Sequence, residues 1–249
     1  MERHRSWRDS WCIFLDVDGT LLELAETPEA VTVGADLVGV LGRASTALGG
    51  ALALISGRPI AALDRLFAPL QLPTAGVHGL ERRNALGAYT EGPVDWLPLG
   101  TARHAMAELA RRHRGLTLED KGLAVALHWR REPQLEESVR SLLGSLAARL
   151  GPDFELQEGD AVLEIKATGR DKGTAVESFL REAPFAGRVP LYVGDDATDA
   201  AAFRAVERHG GWAIGVGPRP DTLLRFADPL AVRRWLGRLT GPSGLLGAT

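Results

Sequence analysis

Apolar runs of four or five residues punctuate this chain, and several stop abruptly at a cluster of carboxylates. Residues 12–16, 51–55, 73–77, 189–193 and 212–216 are nearly continuous in apolar character, the pattern of strands buried on both faces. Helical stretches lie between several of them, at 34–48, 59–67, 172–182 and 198–209. Pro59 suits a first helical position, and Pro190 suits the start of a strand. Strands alternating with helices predict an α/β fold whose parallel sheet is covered on both faces.

Between residues 101 and 166 the rhythm changes. A helix over 101–114 precedes strands at 116–119 and 123–130, joined by a turn at Asp120-Lys121-Gly122. A second helix over 133–150 precedes strands at 154–157 and 161–166, joined by a turn at Glu158-Gly159-Asp160. This αββ unit written twice predicts an antiparallel sheet backed by helices on one face. The division is therefore a core of residues 1–100 and 167–249 carrying an inserted α+β cap of residues 101–166. Alternation puts Leu123, Val125, Leu127, Trp129, Leu163 and Ile165 against the helices. It leaves His128, Arg130, Glu164 and Lys166 on an open polar face, expected to act as a lid over the carboxylate edge of the core.

The chemistry concentrates where the apolar runs end. Asp16 and Asp18 follow Cys12-Ile13-Phe14-Leu15, and side chains two apart on a strand point the same way. They fall at the carboxyl-terminal edge of a strand, where open α/β sheets hold their sites. Two neighbouring carboxylates repel, so the pair calls for a divalent cation. Gly19 and Thr20 turn the chain and can aim backbone N–H groups at an anion. A second run, Leu191-Tyr192-Val193, leads into Gly194-Asp195-Asp196-Ala197-Thr198-Asp199.

Composition narrows the partners. The 249 residues suffice for one large or two modest domains, and a net charge of −3 gives no reason to invoke a polyanion. The arginines are interleaved with acids and read as solvated helix faces, against nucleic-acid binding. Cys12, the single cysteine, excludes an intramolecular disulfide and fits a cytoplasmic location. Within an apolar run it reads as a small hydrophobe and not as a catalytic thiol. Residues 1–11 are polar and basic without the apolar core of a signal peptide, and no apolar run approaches a membrane span. These features predict a soluble protein, and without a sustained apolar surface stripe a monomer.

Four segments, in order, resemble the motifs of the haloacid dehalogenase superfamily of aspartate-nucleophile phosphotransferases. They are Asp16-Val17-Asp18-Gly19-Thr20, Ile55-Ser56-Gly57-Arg58, Asp171-Lys172-Gly173 and Gly194-Asp195-Asp196-Ala197-Thr198-Asp199. The resemblance implies a Rossmann-like core with Asp16 as nucleophile and Asp18 as general acid and base. It implies Lys172 and Ser56 on the phosphoryl oxygens, with a helix amino terminus behind Ser56. Mg²⁺ would be held by Asp16, the Asp18 carbonyl and Asp195, with Asp196 and Asp199 completing the shell directly or through water. Arg58 would brace its loop through carboxylates.

Further segments resemble the trehalose-6-phosphate phosphatases. They are Ala75-Gly76-Val77-His78-Gly79-Leu80-Glu81, Glu119-Asp120-Lys121-Gly122, Ala126-Leu127-His128-Trp129-Arg130 and Leu163-Glu164-Ile165-Lys166. This likeness covers 13–217 and implies sugar contacts from Lys121, His128, Glu164 and Glu158, with Gly57, His78 and Arg130 also at the substrate. The chain departs from that family in having Val17 where a tyrosine is frequent and Ala200 where an acid is common. Rival readings are another lidded phosphatase, acting on sucrose phosphate, mannosyl- or glucosyl-phosphoglycerate or a hexose phosphate, and a catalytically silent sugar-phosphate-binding regulator. A metal-dependent glycosyltransferase shares the Asp-x-Asp pattern but has no place for Lys172 and Asp195. His4, His104, His113 and His209 fall on surface-like segments and suggest no role.

Overall fold

Strand β1 (Trp11–Leu15) is buried from Cys12 onward and lies in the middle of an eight-stranded sheet. The computed structural model describes residues 10–24, 31–92 and 96–239, without the Trp96 side chain; His4 and most of the basic amino-terminal segment lie outside these. The chain divides into two compact units, Met1–Thr90 with Asp171–Thr249, and Glu91–Arg170. The sequence put these boundaries ten residues later at the first crossing and four residues earlier at the second. The helix opening the second unit starts at Trp96, ahead of the expected residue 101, because Pro98 falls in its first turn, where proline is tolerated.

In the first unit, β2 (Leu52–Ile55), β3 (Thr74–Gly76), β10 (Val189–Gly194), β11 (Trp212–Val216) and β12 (Leu224–Phe226) run parallel with β1. The sheet order is β12-β11-β10-β1-β2-β3-β4-β5, with β4 (Glu81–Arg83) antiparallel to β3 and β5 (Tyr89–Glu91) at the far edge. Strand order reverses between β1 and β10, the switch point where such sheets open a crevice beyond their carboxyl ends. Leu15 pairs with Val193, so the residues just past both ends, Asp16 and Asp195, emerge beside one another. Helices α1 (Ala35–Ala47), α2 (Ile60–Leu66), α5 (Lys172–Leu180), α6 (Ala200–Arg208) and α7 (Pro229–Leu239) complete the unit. Its core includes Phe14, Phe179 and Phe185, packed with ring centroids 5.1 to 6.0 Å apart. Cys12 is buried, and burial pushes its thiol up to about 12, which suits the inert hydrophobe read from sequence.

The second unit has the order β6-β7-β9-β8, with β6 (Thr117–Asp120), β7 (Ala124–His128), β8 (Phe154–Gly159) and β9 (Val162–Ala167) all antiparallel. Helices α3 (Trp96–Arg112) and α4 (Glu136–Leu150) share one core with Val125, Leu127, Trp129, Leu163 and Ile165, five of the six residues that alternation selected; Leu123 is buried but outside that core. The opposite face is not open as expected, since Glu164 and Lys166 are 3% and 0% exposed. Strand pairing explains part of this, because Lys166 lies opposite Glu155, ion-pairs with it, and donates to the Arg170 carbonyl at 2.6 Å. The expected turn at 158–160 also moves, because Glu158 and Gly159 extend β8 and a left-handed Ala161 (φ 56°) reverses the chain. No helix among the described residues is long and apolar enough to cross a membrane.

The aromatic cluster is a test of the core. Phe179→Ala should destabilise the chain by about 3–5 kcal/mol, through lost burial plus the cavity left behind. Urea denaturation followed by circular dichroism should show a markedly lower midpoint, and an unchanged midpoint would contradict the packing described.

Candidate active site

Four of the aspartates singled out from sequence belong to one buried cluster or its immediate turn, built at the ends of β1 and β10. Asp16 is 4% exposed and accepts from Lys172 Nζ at 2.9 Å through Oδ1. Lys172 is the first residue of α5, which opens with a capping box between Asp171 and Thr174 that fixes the entry of the chain. The same ammonium donates to Asp199 Oδ1 at 2.7 Å. Asp199 is fully buried and saturated, accepting also from the Tyr192 hydroxyl at 2.7 Å and from the backbone N–H of Asp195 and Asp196 at 2.9 and 3.1 Å. Tyr192 was not singled out by sequence reasoning; its signal was a hydroxyl-bearing aromatic in an otherwise aliphatic buried run.

Electrostatics follow from this packing. Burial acts to lower the Lys172 ammonium, but Asp16 and Asp199 more than reverse it and hold its proton above the ordinary range. Burial raises the Asp16 carboxyl well above the usual carboxylate range; Lys172 opposes this, while Asp199 and Asp195 add to it. Asp195 is pushed up to about 6, by burial first and then by Asp196 and Asp199. One ammonium leaves the cluster short of positive charge.

A metal fits that shortage. Asp16, Asp195 and Asp199 each offer a carboxylate oxygen, all within 4.8 Å of one another and all buried. An all-oxygen anionic set suits a hard divalent cation. Within it, Asp199 already has four donors, so Asp16 and Asp195 are the better placed to coordinate. Asp196 caps the following turn instead, accepting from Thr198 N at 2.8 Å and from the Thr198 hydroxyl at 2.6 Å. Gly19, at φ 81°, lets the chain turn against Asp195, since a Cβ there would lie 2.1 Å from Asp195 Oδ2. Its N–H donates to the Leu22 carbonyl at 2.7 Å, and is thus spent within the turn and not presented to an anion.

Asp18 lies apart from that cluster of oxygens. Both its carboxylate oxygens are held by Arg58, Nε at 2.7 Å and Nη2 at 2.8 Å, a bidentate brace of the kind expected for this arginine. Ser56 is buried, with its Oγ accepting from Arg58 N at 3.1 Å. His78 adopts a left-handed conformation (φ 54°) and donates its backbone N–H to the Ser56 carbonyl at 3.0 Å. Gly57 lies against the His78 ring, where a Cβ would approach Nε2 to 2.7 Å. The helix amino terminus expected behind Ser56 is already engaged, because Ile60 N donates to Glu81 Oε1 at 2.5 Å.

The second unit carries its own polar cluster. Glu119, Ala126, Glu164 and Gln157 lie in register across the sheet, on one face. Lys121 pairs with Glu164 there, and His128 Nε2 lies 2.9 Å from Glu119 Oε2. Arg130 and Glu158 do not join this group. Arg130 turns back to Asp160, 3.2 Å away, and Glu158 pairs with Arg140 of α4 at 2.7 Å and is 68% exposed. Glu158 pairs in register with Leu163, which the core claims, so the strand's alternation directs it to the helix side.

The trehalose-phosphatase family profile matches residues 14–222. The chain is 43% identical over 210 residues to a probable trehalose-phosphate phosphatase of Sinorhizobium fredii, covering 84% of this chain and 79% of that one. It is 40% identical over 231 residues to the trehalose-6-phosphate phosphatase of Escherichia coli, covering 91% and 85%. The C-terminal domain of the Candida albicans trehalose-6-phosphate phosphatase shares the fold with a TM-score of 0.82, at 21% identity and over 94% of both chains. With its haloacid dehalogenase-like fold, and over most of its length, this chain belongs to the trehalose-phosphatase family.

Proposed function

We propose that this chain hydrolyses trehalose 6-phosphate to trehalose and phosphate, in a Mg²⁺-dependent reaction through an aspartyl-phosphate, as the last step of trehalose biosynthesis. The observation that carries the chemistry is the buried Asp16, held at 2.9 Å by Lys172 and sharing its space with Asp195. Its identity to the Escherichia coli enzyme supports the substrate. In the same proposal the core of residues 1–100 and 167–249 is catalytic and the cap of 101–166 reads the sugar; the two compact units support it. We take the chain to act as a cytoplasmic monomer on a small-molecule sugar phosphate.

Asp16 attacks phosphorus, forming the bond to its carboxylate oxygen as the bond to the sugar oxygen breaks. Asp18 gives the leaving alkoxide a proton, then takes one from the water that releases phosphate from Asp16. Arg58 occupies one acceptor position on each Asp18 oxygen, which leaves a second lone pair on each for the proton. Lys172 and the Ser56 hydroxyl face the charge that develops on the equatorial phosphoryl oxygens. Asp16, the Asp18 carbonyl and Asp195 would hold Mg²⁺, with Asp199 and Asp196 ordering the turn behind them. When bound, the ion supplies the charge that lets an anionic nucleophile approach an anionic phosphate. Lys121, Glu164, His128 and Glu119 offer donors and acceptors suited to sugar hydroxyls.

The direct test is phosphate release with Mg²⁺ from trehalose 6-phosphate, sucrose 6-phosphate, glucose 6-phosphate and mannosyl-phosphoglycerate. Strong selectivity for the first is expected, with Asp16→Asn inert yet folded. Preference for another compound would keep the chemistry and remove the substrate; silence on all would favour a sugar-phosphate-binding regulator.

Lys121→Ala and Glu164→Ala should lower kcat/KM for the disaccharide phosphate by about 10²-fold or more, because a site built to pair hydroxyls depends on those pairs. Turnover of p-nitrophenyl phosphate should change little. Equal losses on both substrates would show that these residues do not read the sugar.

Millimolar Mg²⁺ should raise the melting temperature of the wild-type chain, since an ion that binds the folded form stabilises it. Asp195→Asn should remove most of that rise. A shift retained in full would place the ion elsewhere.

A further inference from the structure

The segment Ala75 to Glu81 was matched as a block, and the roles above leave its last residue unused. Glu81 is 7% exposed and forms no ion pair among the described residues. One oxygen accepts from the backbone N–H of Ile60 at 2.5 Å, the other from the Tyr89 hydroxyl at 2.5 Å. Glu81 pairs in register with Gly76 on β3. Its carboxylate folds across that glycine, where a Cβ would lie 2.5 Å from Glu81 Oε1 and 2.8 Å from the Arg58 carbonyl.

The loop that Glu81 grips is the one bearing Ser56, Gly57 and Arg58. Val77 N donates to the Arg58 carbonyl at 3.1 Å and His78 N to the Ser56 carbonyl at 3.0 Å. Val77 and His78, which make these two bonds, are both left-handed, at φ 46° and 54°. That conformation is unfavourable for such side chains, and most for a β-branched one, so the surroundings must enforce it. Glu81 lies just beyond the strained pair, on β4, and ties it to the first N–H of α2. With Ser56 and Arg58 before the joint and His78 beyond it, the carboxylate closes the lacing at its far end.

We propose that Glu81 is a positioning residue for the phosphoryl-transfer site. It acts through Ile60 N–H to fix the Ser56–Arg58 loop, and through that loop the Ser56 hydroxyl, the Arg58 brace on Asp18 and the His78 ring. Tyr89 holds its second oxygen, and Gly76 is the vacancy that admits it. This role rests on the phosphatase reading and deepens it. Because the loop serves the phosphoryl group and not the sugar, its loss is felt by every phosphate ester.

The test compares Glu81→Ala, Glu81→Gln, Gly76→Ala and Tyr89→Phe with Lys121→Ala. Glu81→Ala should lose about 10²-fold in kcat, the scale of an ångström-level misplacement, and lose it alike on trehalose 6-phosphate and p-nitrophenyl phosphate. Glu81→Gln keeps an oxygen for Ile60 N–H and should recover most of the rate. Gly76→Ala should copy Glu81→Ala, and Tyr89→Phe should fall between. Hydrogen exchange read at the amides of residues 56–58 and 60 gives a measure independent of turnover, and should quicken in Glu81→Ala but not in Lys121→Ala. A Glu81→Ala enzyme that keeps its rate, or one whose glutamine variant is no better while both show wild-type exchange at this loop, overturns the proposal. A wild-type chain inert on every ester removes the phosphatase reading; the exchange comparison then still decides whether Glu81 fixes the loop.

Discussion

The molecule is organised around one buried ammonium. Lys172 bridges Asp16 and Asp199, at 2.9 and 2.7 Å, in a space also occupied by Asp195. Removing one partner from such a buried set typically costs about 3–5 kcal/mol, because the charges left behind keep no counterpart. The surrounding elements are arranged to prevent that. A capping box starts α5 at the lysine, two backbone N–H groups and the Tyr192 hydroxyl occupy Asp199, and the glycine at residue 19 lets the first turn close on Asp195. Three carboxylates facing one ammonium remain short of positive charge, and that deficit is the physical argument for a divalent cation.

The two units solve different problems. The first holds its charges rigidly, on strand ends and capped turns whose backbone cannot drift without breaking the sheet. The second holds Lys121 against Glu164 and Glu119 near His128, pairs formed within its own sheet. Pairs of this kind give buried charges a counterpart before any ligand arrives. A sugar hydroxyl gains only where it can enter those pairs and leave none unmade, which is how a polar site rejects analogues lacking the right hydroxyls.

Much of this was legible in the chain. The buried parallel strands announced themselves because nearly every residue in them is apolar, and the carboxylates announced their ends. The helix-facing set in the second unit followed from alternation alone. Other features resisted reading for identifiable reasons. Strands β4 and β5 are three residues each, Glu-Arg-Arg and Tyr-Thr-Glu, with no apolar face to signal a strand. The short edge strand β12 and the helix α7 behind it also escaped, the latter although its apolar stripe of Val232, Leu236 and Leu239 was present. Glu158 was misplaced because Glu-Gly-Asp looks like a hairpin turn, whereas the left-handed residue is Ala161 and the strand runs on. Glu164 and Lys166 were expected on an open face because alternation assigns a face but not the pairs that bury individual side chains on it.

The deeper reason lies in what distinguishes one aspartate from another. Asp16, Asp18, Asp195, Asp196 and Asp199 are chemically identical in sequence, and all five were expected near a cation. Their donors separate them. Asp199 has four and organises; Asp196 is taken by Thr198 and caps; Asp18 is held on both oxygens by one guanidinium. Asp16 receives the Lys172 ammonium and Asp195 the Thr20 hydroxyl at 3.2 Å, and the two carboxyl groups lie within hydrogen-bond reach of each other, which is still less than two buried carboxylates can accept. A carboxylate well supplied with donors is stable where it is, whereas an undersupplied one is raised in energy as an anion and seeks a cation or an electrophile. The two undersupplied groups are those emerging from adjacent strands at the switch point, the position at which the proposed nucleophile and metal ligand are needed.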